Sequence, residues 1–187
     1  YSSPHFIASW ILIIISFYFL INGYLKNRLT DILKAGLAAL ILTQFHPFYA
    51  LLLITVPAVY AFILYLKEKK PGHLIKWFLF ELFLVPSILY YLYLQSDAVF
   101  NLRSQNIMLS PPPVTLILSF GLIFFLAVGG LALVFKKRGQ SKTWLFIVVW
   151  FFANLFLLYI PVPFQRRLIE GWTIPLNLLA LLALNEF

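Results

Sequence analysis

The chain has 187 residues, 63% of them apolar, 19% aromatic and only 11% charged, with a mean hydropathy of +0.94. A soluble domain carries roughly 45–50% apolar and about 25% charged residues, so a soluble globular domain, a coiled coil, a collagen-like chain and a disordered tail are all excluded. The net charge of +8 sits in short clusters between apolar runs, the distribution of the positive-inside rule. No basic stripe is interleaved with base-reading residues, so nucleic acid is not an expected partner and the lipid bilayer is.

The first apolar run, Phe6–Leu25, makes about 30 Å of helix, enough for one crossing. No basic segment precedes it, so it does not read as a signal peptide. Lys26-Asn27-Arg28 ends it. From Asp31 to Leu66 a continuous helix would reach about 54 Å, too long for one span. If Lys26–Arg28 and Lys67-Glu68-Lys69-Lys70 lie on the same side, this segment goes out and returns. Pro47 supplies the turn, because it breaks helical bonding and drives His46 toward an extended conformation. The outgoing arm, Asp31–Phe45, is about 22 Å long, which places His46 at or just below the outer interface. Asp31, following Thr30, reads as an N-cap.

Leu74–Leu94 forms the next span, with Trp77 at one end and Tyr90, Tyr91 and Tyr93 at the other as aromatic belts. A polar loop from Gln95 to Pro113 carries Asp97 and Arg103. Val114–Phe135 spans again and ends at Lys136-Lys137-Arg138-Gly139; Trp144–Ile160 crosses outward and stops at Pro161-Val162-Pro163-Phe164. Gln165–Gly171 then opens a last apolar helix through Leu184. Pro57, Pro86 and Pro175 are expected to kink their helices, and Gly129 and Gly130 to allow close packing. The expected fold is an all-α transmembrane helix bundle, one domain over 1–187, with about seven crossings that include both arms of the Pro-broken hairpin at 31–66. Both ends of the chain break off beside apolar helix, the pattern expected of a piece of a longer polytopic protein.

This threading puts segments 26–31, 67–76 and 136–142 in the cytoplasm and 44–47, 95–112 and 161–170 outside. All nine Lys, with Arg28 and Arg138, then fall inside, against Arg103, Arg166 and Arg167 outside. Every basic residue on the outer face is therefore Arg, whose rigid fork suits phosphate and carboxylate.

The strongest local signal is Pro161-Val162-Pro163-Phe164-Gln165-Arg166-Arg167-Leu168-Ile169-Glu170-Gly171. Two adjacent Arg at the positive end of a helix call for an anion such as a lipid phosphate; the alternative is an ion pair from Glu170 to Arg166 or Arg167. Arg103 is either a second phosphate ligand or one polar residue in a solvated loop. His46, beside Gln44 and Pro47, is either a hydrogen-bonding or acid/base group of a substrate cavity or a hydrated turn residue, and His5 has the same two readings. Glu81, within Phe80-Glu81-Leu82-Phe83, is an ionisable residue inside a span, close enough to the inner end to snorkel. No pair of His or carboxylates stands at ligand spacing on one helix, and there is no Cys, so no metal site is expected from the residues.

Three segments together resemble a known family. The opening Tyr1-Ser2-Ser3-Pro4-His5-Phe6, the hairpin Gln44-Phe45-His46-Pro47-Phe48 and the tail from Pro163 through Leu176, spread over many short helices, are similar to membrane glycosyltransferases of the GT-C superfamily. The chain is similar in particular to its loosely characterised prokaryotic members with a Phe-Gln-Arg-Arg stretch before a late helix. That resemblance implies a polyprenyl-phosphate-linked sugar donor bound at the extracytoplasmic face of a prokaryotic plasma membrane. It also implies either no metal or a single divalent ion as cofactor. Arg166, Arg167 and Gln165, with Arg103 and His46, would bind the lipid phosphate, while Glu170 and Pro47 would orient the site. The family's catalytic carboxylate lies in the first outer loop. The first connector here, Lys26–Asp31, reads as cytoplasmic, so that loop is expected outside this chain. Other readings are a lipid-linked polysaccharide polymerase or ligase, a transporter or flippase of an anionic lipid or solute, and a non-catalytic membrane scaffold.

Overall fold

The computed structural model describes residues 4–97, 107–138 and 141–186, apart from the side chains of His5 and Arg138. Among these residues the regular structure is entirely helical. The chain divides into two compact units, 1–107 and 108–187. Three helical stretches, Phe6–Leu25, Tyr49–Glu68 and Gln165–Glu186, are long and apolar enough to cross a membrane, and up to five if each of two bent helix pairs counts as one span.

The first unit contains α1 (Pro4–Leu25), α2 (Leu29–Phe45), α3 (Tyr49–Glu68), α4 (Gly72–Glu81) and α5 (Val85–Leu94). α1 and α2 form a close hairpin: the Ser16 hydroxyl donates to the Ala35 carbonyl at 3.0 Å, and Ile32 fills the space a side chain at Gly23 would need. α2 begins at Leu29 with Arg28 at its N-cap, so Asp31 is not the cap. It lies in the first turn, where a carboxylate still favours the positive helix end. At the far end, the His46 N–H bonds to Leu42 O at 2.9 Å, and Pro47 starts the turn into α3. α3 closes with Lys69 in the left-handed region at φ 55°. The Tyr24 hydroxyl then donates to His73 O at 3.0 Å, tying the end of α1 to the start of α4.

The continuous helix expected over 74–94 is broken between Glu81 and Val85, and α5 turns 41° away from α4. Pro86 accounts for this: it offers no N–H to the Leu82 carbonyl, and its ring crowds that carbonyl. α3, by contrast, runs on through Pro57. The unit has two chemically distinct ends. Lys26, Arg28, Lys67, Lys69, Lys70 and Lys76 gather with Tyr24 and His73 at one; Gln44, His46, Ser87 and Gln95 lie at the other.

The second unit contains α6 (Pro113–Phe120), α7 (Leu122–Leu133, continued by one wide turn, Val134–Arg138), α8 (Lys142–Leu157) and α9 (Leu168–Glu186). The single span expected over 114–135 is also broken, at Gly121. Its φ of 51° and ψ of −126° are accessible to glycine and strained for other residues. α6 consequently stands 95° from the helix that follows.

α7 and α9 run side by side in the same direction. Phe124 meets Trp172, Gly130 abuts the Leu179 backbone with no room for a methyl group, and Lys137 pairs with Glu186 at 2.6 Å. The close packing expected of the Gly129–Gly130 pair thus occurs at Gly130. α8 is antiparallel to α9: the Trp172 indole N–H donates to Phe151 O and the Asn154 amide to Leu168 O, both at 3.1 Å. Trp172, fully buried against Phe120, Phe124 and Phe151, is the centre of this packing. α9 continues through Pro175. Here too the lysines (Lys136, Lys137 and Lys142) occupy one end, and Arg166 and Arg167 the other.

Candidate functional site

The arginine end of the second unit is built by backbone that cannot continue a helix. Pro161 and Pro163 lack N–H groups, so the chain leaving α8 loops over and re-enters through a single tight turn, Gln165–Arg167, before α9. Segment 108–111 is laced to this loop. The Met108 N–H donates to Pro163 O at 2.6 Å, and the Arg166 N–H donates to Met108 O at 3.0 Å. The Tyr159 hydroxyl reaches Pro111 O at 3.2 Å. Gln165, only 9% exposed, completes the lacing: its Oε1 accepts from the Ser110 N–H at 3.0 Å and its Nε2 donates to Ile160 O.

Between this laced loop and α6 lies a cavity of about 790 Å³. One wall carries Arg166, Arg167 and Glu170. Across it, α6 presents Thr115 and Ser119, one turn apart, and Leu116, Phe120 and Ile169 supply apolar surface. Arg166 is exposed, and its guanidinium has no hydrogen-bond or ion-pair partner among the described residues. Cations next to the positive end of α9 are electrostatically unfavourable, and the Glu170 carboxylate in the same lining carries the opposite charge. The cavity thus sets two guanidiniums and a carboxylate beside apolar surface.

No protein-family model, curated protein or solved structure matches this chain.

The cavity brings together three of the residues singled out in the sequence, Arg166, Arg167 and Glu170. Gln165 adjoins them, but both ends of its amide are engaged by backbone, so it holds the loop in place. Arg103 lies outside the described residues, as does the side chain of His5. His46 and Pro47 belong to the first unit, where the His46 ring stacks on Phe6 at 5.2 Å and meets Tyr49 edge-on at 6.0 Å. Glu81 accepts a bond from the Trp77 indole N–H at 2.9 Å. Among the described residues no group of three His, Cys, Asp or Glu is placed to hold a metal ion.

Sequence reasoning passed over Thr115 and Ser119. Their signal was present, since they are the hydroxyl pair at i and i+4 in Pro113–Phe120. Their relevance depended on α6 turning across the unit.

Proposed function

We propose that this chain is part of an integral membrane glycosyltransferase of the GT-C type that uses a polyprenyl-phosphate-linked sugar at the extracytoplasmic face. In this reading the chain crosses the bilayer about seven times, with Leu29–Phe45 and Lys142–Leu157 as short spans. Segments 26–31, 67–76 and 136–142 face the cytoplasm, following the lysines. The observation that carries the reading is the second unit's cavity, where Arg166 and Arg167 stand over apolar wall at the end remote from the lysines. The two guanidiniums hold the lipid phosphate. As the bond between the sugar's anomeric carbon and the phosphate oxygen breaks, the acceptor hydroxyl oxygen takes its place and gives its proton to the carboxylate base that the family resemblance implies. The guanidiniums stabilise the charge gathering on the leaving phosphate.

The test is binding of a polyprenyl phosphate to the detergent-purified protein. Charge-assisted hydrogen bonds are worth about 1.5–3 kcal/mol each, so an Arg166→Ala/Arg167→Ala variant should bind at least about tenfold more weakly. Equal binding by both proteins would return the arginines to a structural role. A transporter of an anionic lipid is the second reading, favoured by the two helix pairs bent by 41° and 95°. Movement of the lipid across a vesicle membrane without sugar transfer would select it.

A further inference from the structure

At the lysine end of the first unit, Tyr24 draws together two connectors that are far apart in sequence, 26–28 and 69–71. Tyr24 is 3% exposed; its hydroxyl donates to His73 O at 3.0 Å, and its ring stacks on His73 and meets Tyr60 edge-on. α1 is thereby fastened to α3 and to the start of α4, with both connectors at the same end. We infer that this end binds the head group of an anionic phospholipid in the leaflet on the lysine side.

Charge is the first reason. Lys26, Arg28, Lys67, Lys69 and Lys70 are all exposed. Lys70 lies 3.6 Å from Glu68, whereas the side chains of Lys26, Arg28, Lys67 and Lys69 have no ion-pair partner among the described residues. The acidic residues at this end do not offset them. Glu68 is taken up by His73 Nε2 at 3.0 Å as well as by Lys70, and Asp31 is buried in the first turn of α2. Like charges held on neighbouring connectors repel, and a phosphate set among them relieves that repulsion.

Charge alone suits any polyanion, and the apolar neighbours select a lipid. Leu25 and Leu29 bracket the first connector and Leu66 stands beside Lys67; these leucines are 48%, 53% and 47% exposed. The cations therefore adjoin open apolar surface at the ends of α1 and α3, two helices long enough to cross a membrane. A lipid phosphate meets the cations while its acyl chains lie against the leucines. Clusters of roughly four to eight Lys or Arg just beyond a spanning helix attract anionic lipids in this way.

The chain has no cysteine, so a single Gly72→Cys, at an open position beside the second connector, carries an environment-sensitive fluorophore as a local reporter. The labelled full chain is titrated in neutral detergent with short-chain phosphatidylglycerol, and with phosphatidylcholine and glycerol 3-phosphate as comparisons. Phosphatidylglycerol should bind at least about tenfold more tightly than either. Lys26→Gln/Arg28→Gln and Lys67→Gln/Lys69→Gln should each weaken its binding by about tenfold, because each removes two cations. Lys34→Gln/Lys137→Gln removes the same charge from cations that already have partners, the Phe19 ring and Glu186, and should leave binding unchanged. Equal binding of glycerol 3-phosphate would assign the surface to a soluble phosphate, and equal binding of phosphatidylcholine to acyl contact alone. Unchanged binding in both connector variants would place the lipid elsewhere, and an equal loss in the Lys34/Lys137 variant would make the effect one of net charge. Each of these four results overturns the inference.

Discussion

Gln165, Arg166 and Arg167 are consecutive, yet their surroundings differ: Gln165 is buried, Arg167 half-buried and Arg166 exposed. A tight helical turn has about three residues per turn, so neighbouring side chains leave it in three directions. Gln165 points into the loop and is buried, whereas Arg166 points outward and is exposed. Gln165→Leu would leave the part-buried Ser110 N–H and Ile160 carbonyl without their partner, at about 1 kcal/mol for each bond lost. The expected outcome is a clearly lower unfolding temperature in detergent, together with weaker polyprenyl phosphate binding because segment 108–111 loosens. Arg166→Ala should change stability by no more than about 0.5 kcal/mol. Comparable unfolding temperatures for the two variants would show that Gln165 does not hold the loop. In the sequence, all three polar side chains read as candidate phosphate ligands; nothing in the run Phe164-Gln165-Arg166-Arg167 marks the glutamine as the one turned inward.

At the scale of elements, two interrupted helices position the polar chemistry. The break before Pro86 brings Ser87 to Thr43, and the break at Gly121 turns α6 so that Thr115 and Ser119 line the arginine cavity. The first break has a visible cause in the sequence. Gly121 does not, because an isolated glycine in an apolar helix is also compatible with unbroken helix. An alanine at its φ of 51° and ψ of −126° is strained by about 1–3 kcal/mol. Gly121→Ala should therefore lower both stability and polyprenyl phosphate affinity. Gly72→Ala, at an open position with nothing within 4 Å of an added methyl, should alter neither. If Gly121→Ala binds the lipid phosphate as the unmodified protein does, α6 is not a working wall of the site.

For the molecule as a whole, the testable quantity is orientation. Each unit, taken by itself, collects its lysines at one end, and the proposed topology places both of those ends in the cytoplasm. The absence of cysteine makes the chain a clean background for labelling. A membrane-impermeant maleimide should label Pro163→Cys on intact cells, and label Lys69→Cys and Lys137→Cys only after the membrane is opened. The opposite pattern would reverse the orientation, and labelling of Lys69→Cys and Lys137→Cys from different sides would rule out the proposed threading.

The helical character, the long apolar segments and the clustering of lysines between them were all legible in the sequence. Each depends on sums over neighbouring residues, namely hydropathy over a span and charge over a connector. The arginine pair was legible for the same local reason. Which side chains share a cavity was not. That depends on how each helix is rotated about its axis and where it breaks, and distant contacts set both: Trp172 packed among Phe120, Phe124 and Phe151, and Gly130 against Leu179. Tertiary packing alone decided that Gln165 braces the loop, that Thr115 and Ser119 face the arginines, and that Ser87 meets Thr43. A hydrogen bond or a cavity wall requires groups far apart in sequence to be a few ångströms apart in space, and no local sum over the chain contains that distance.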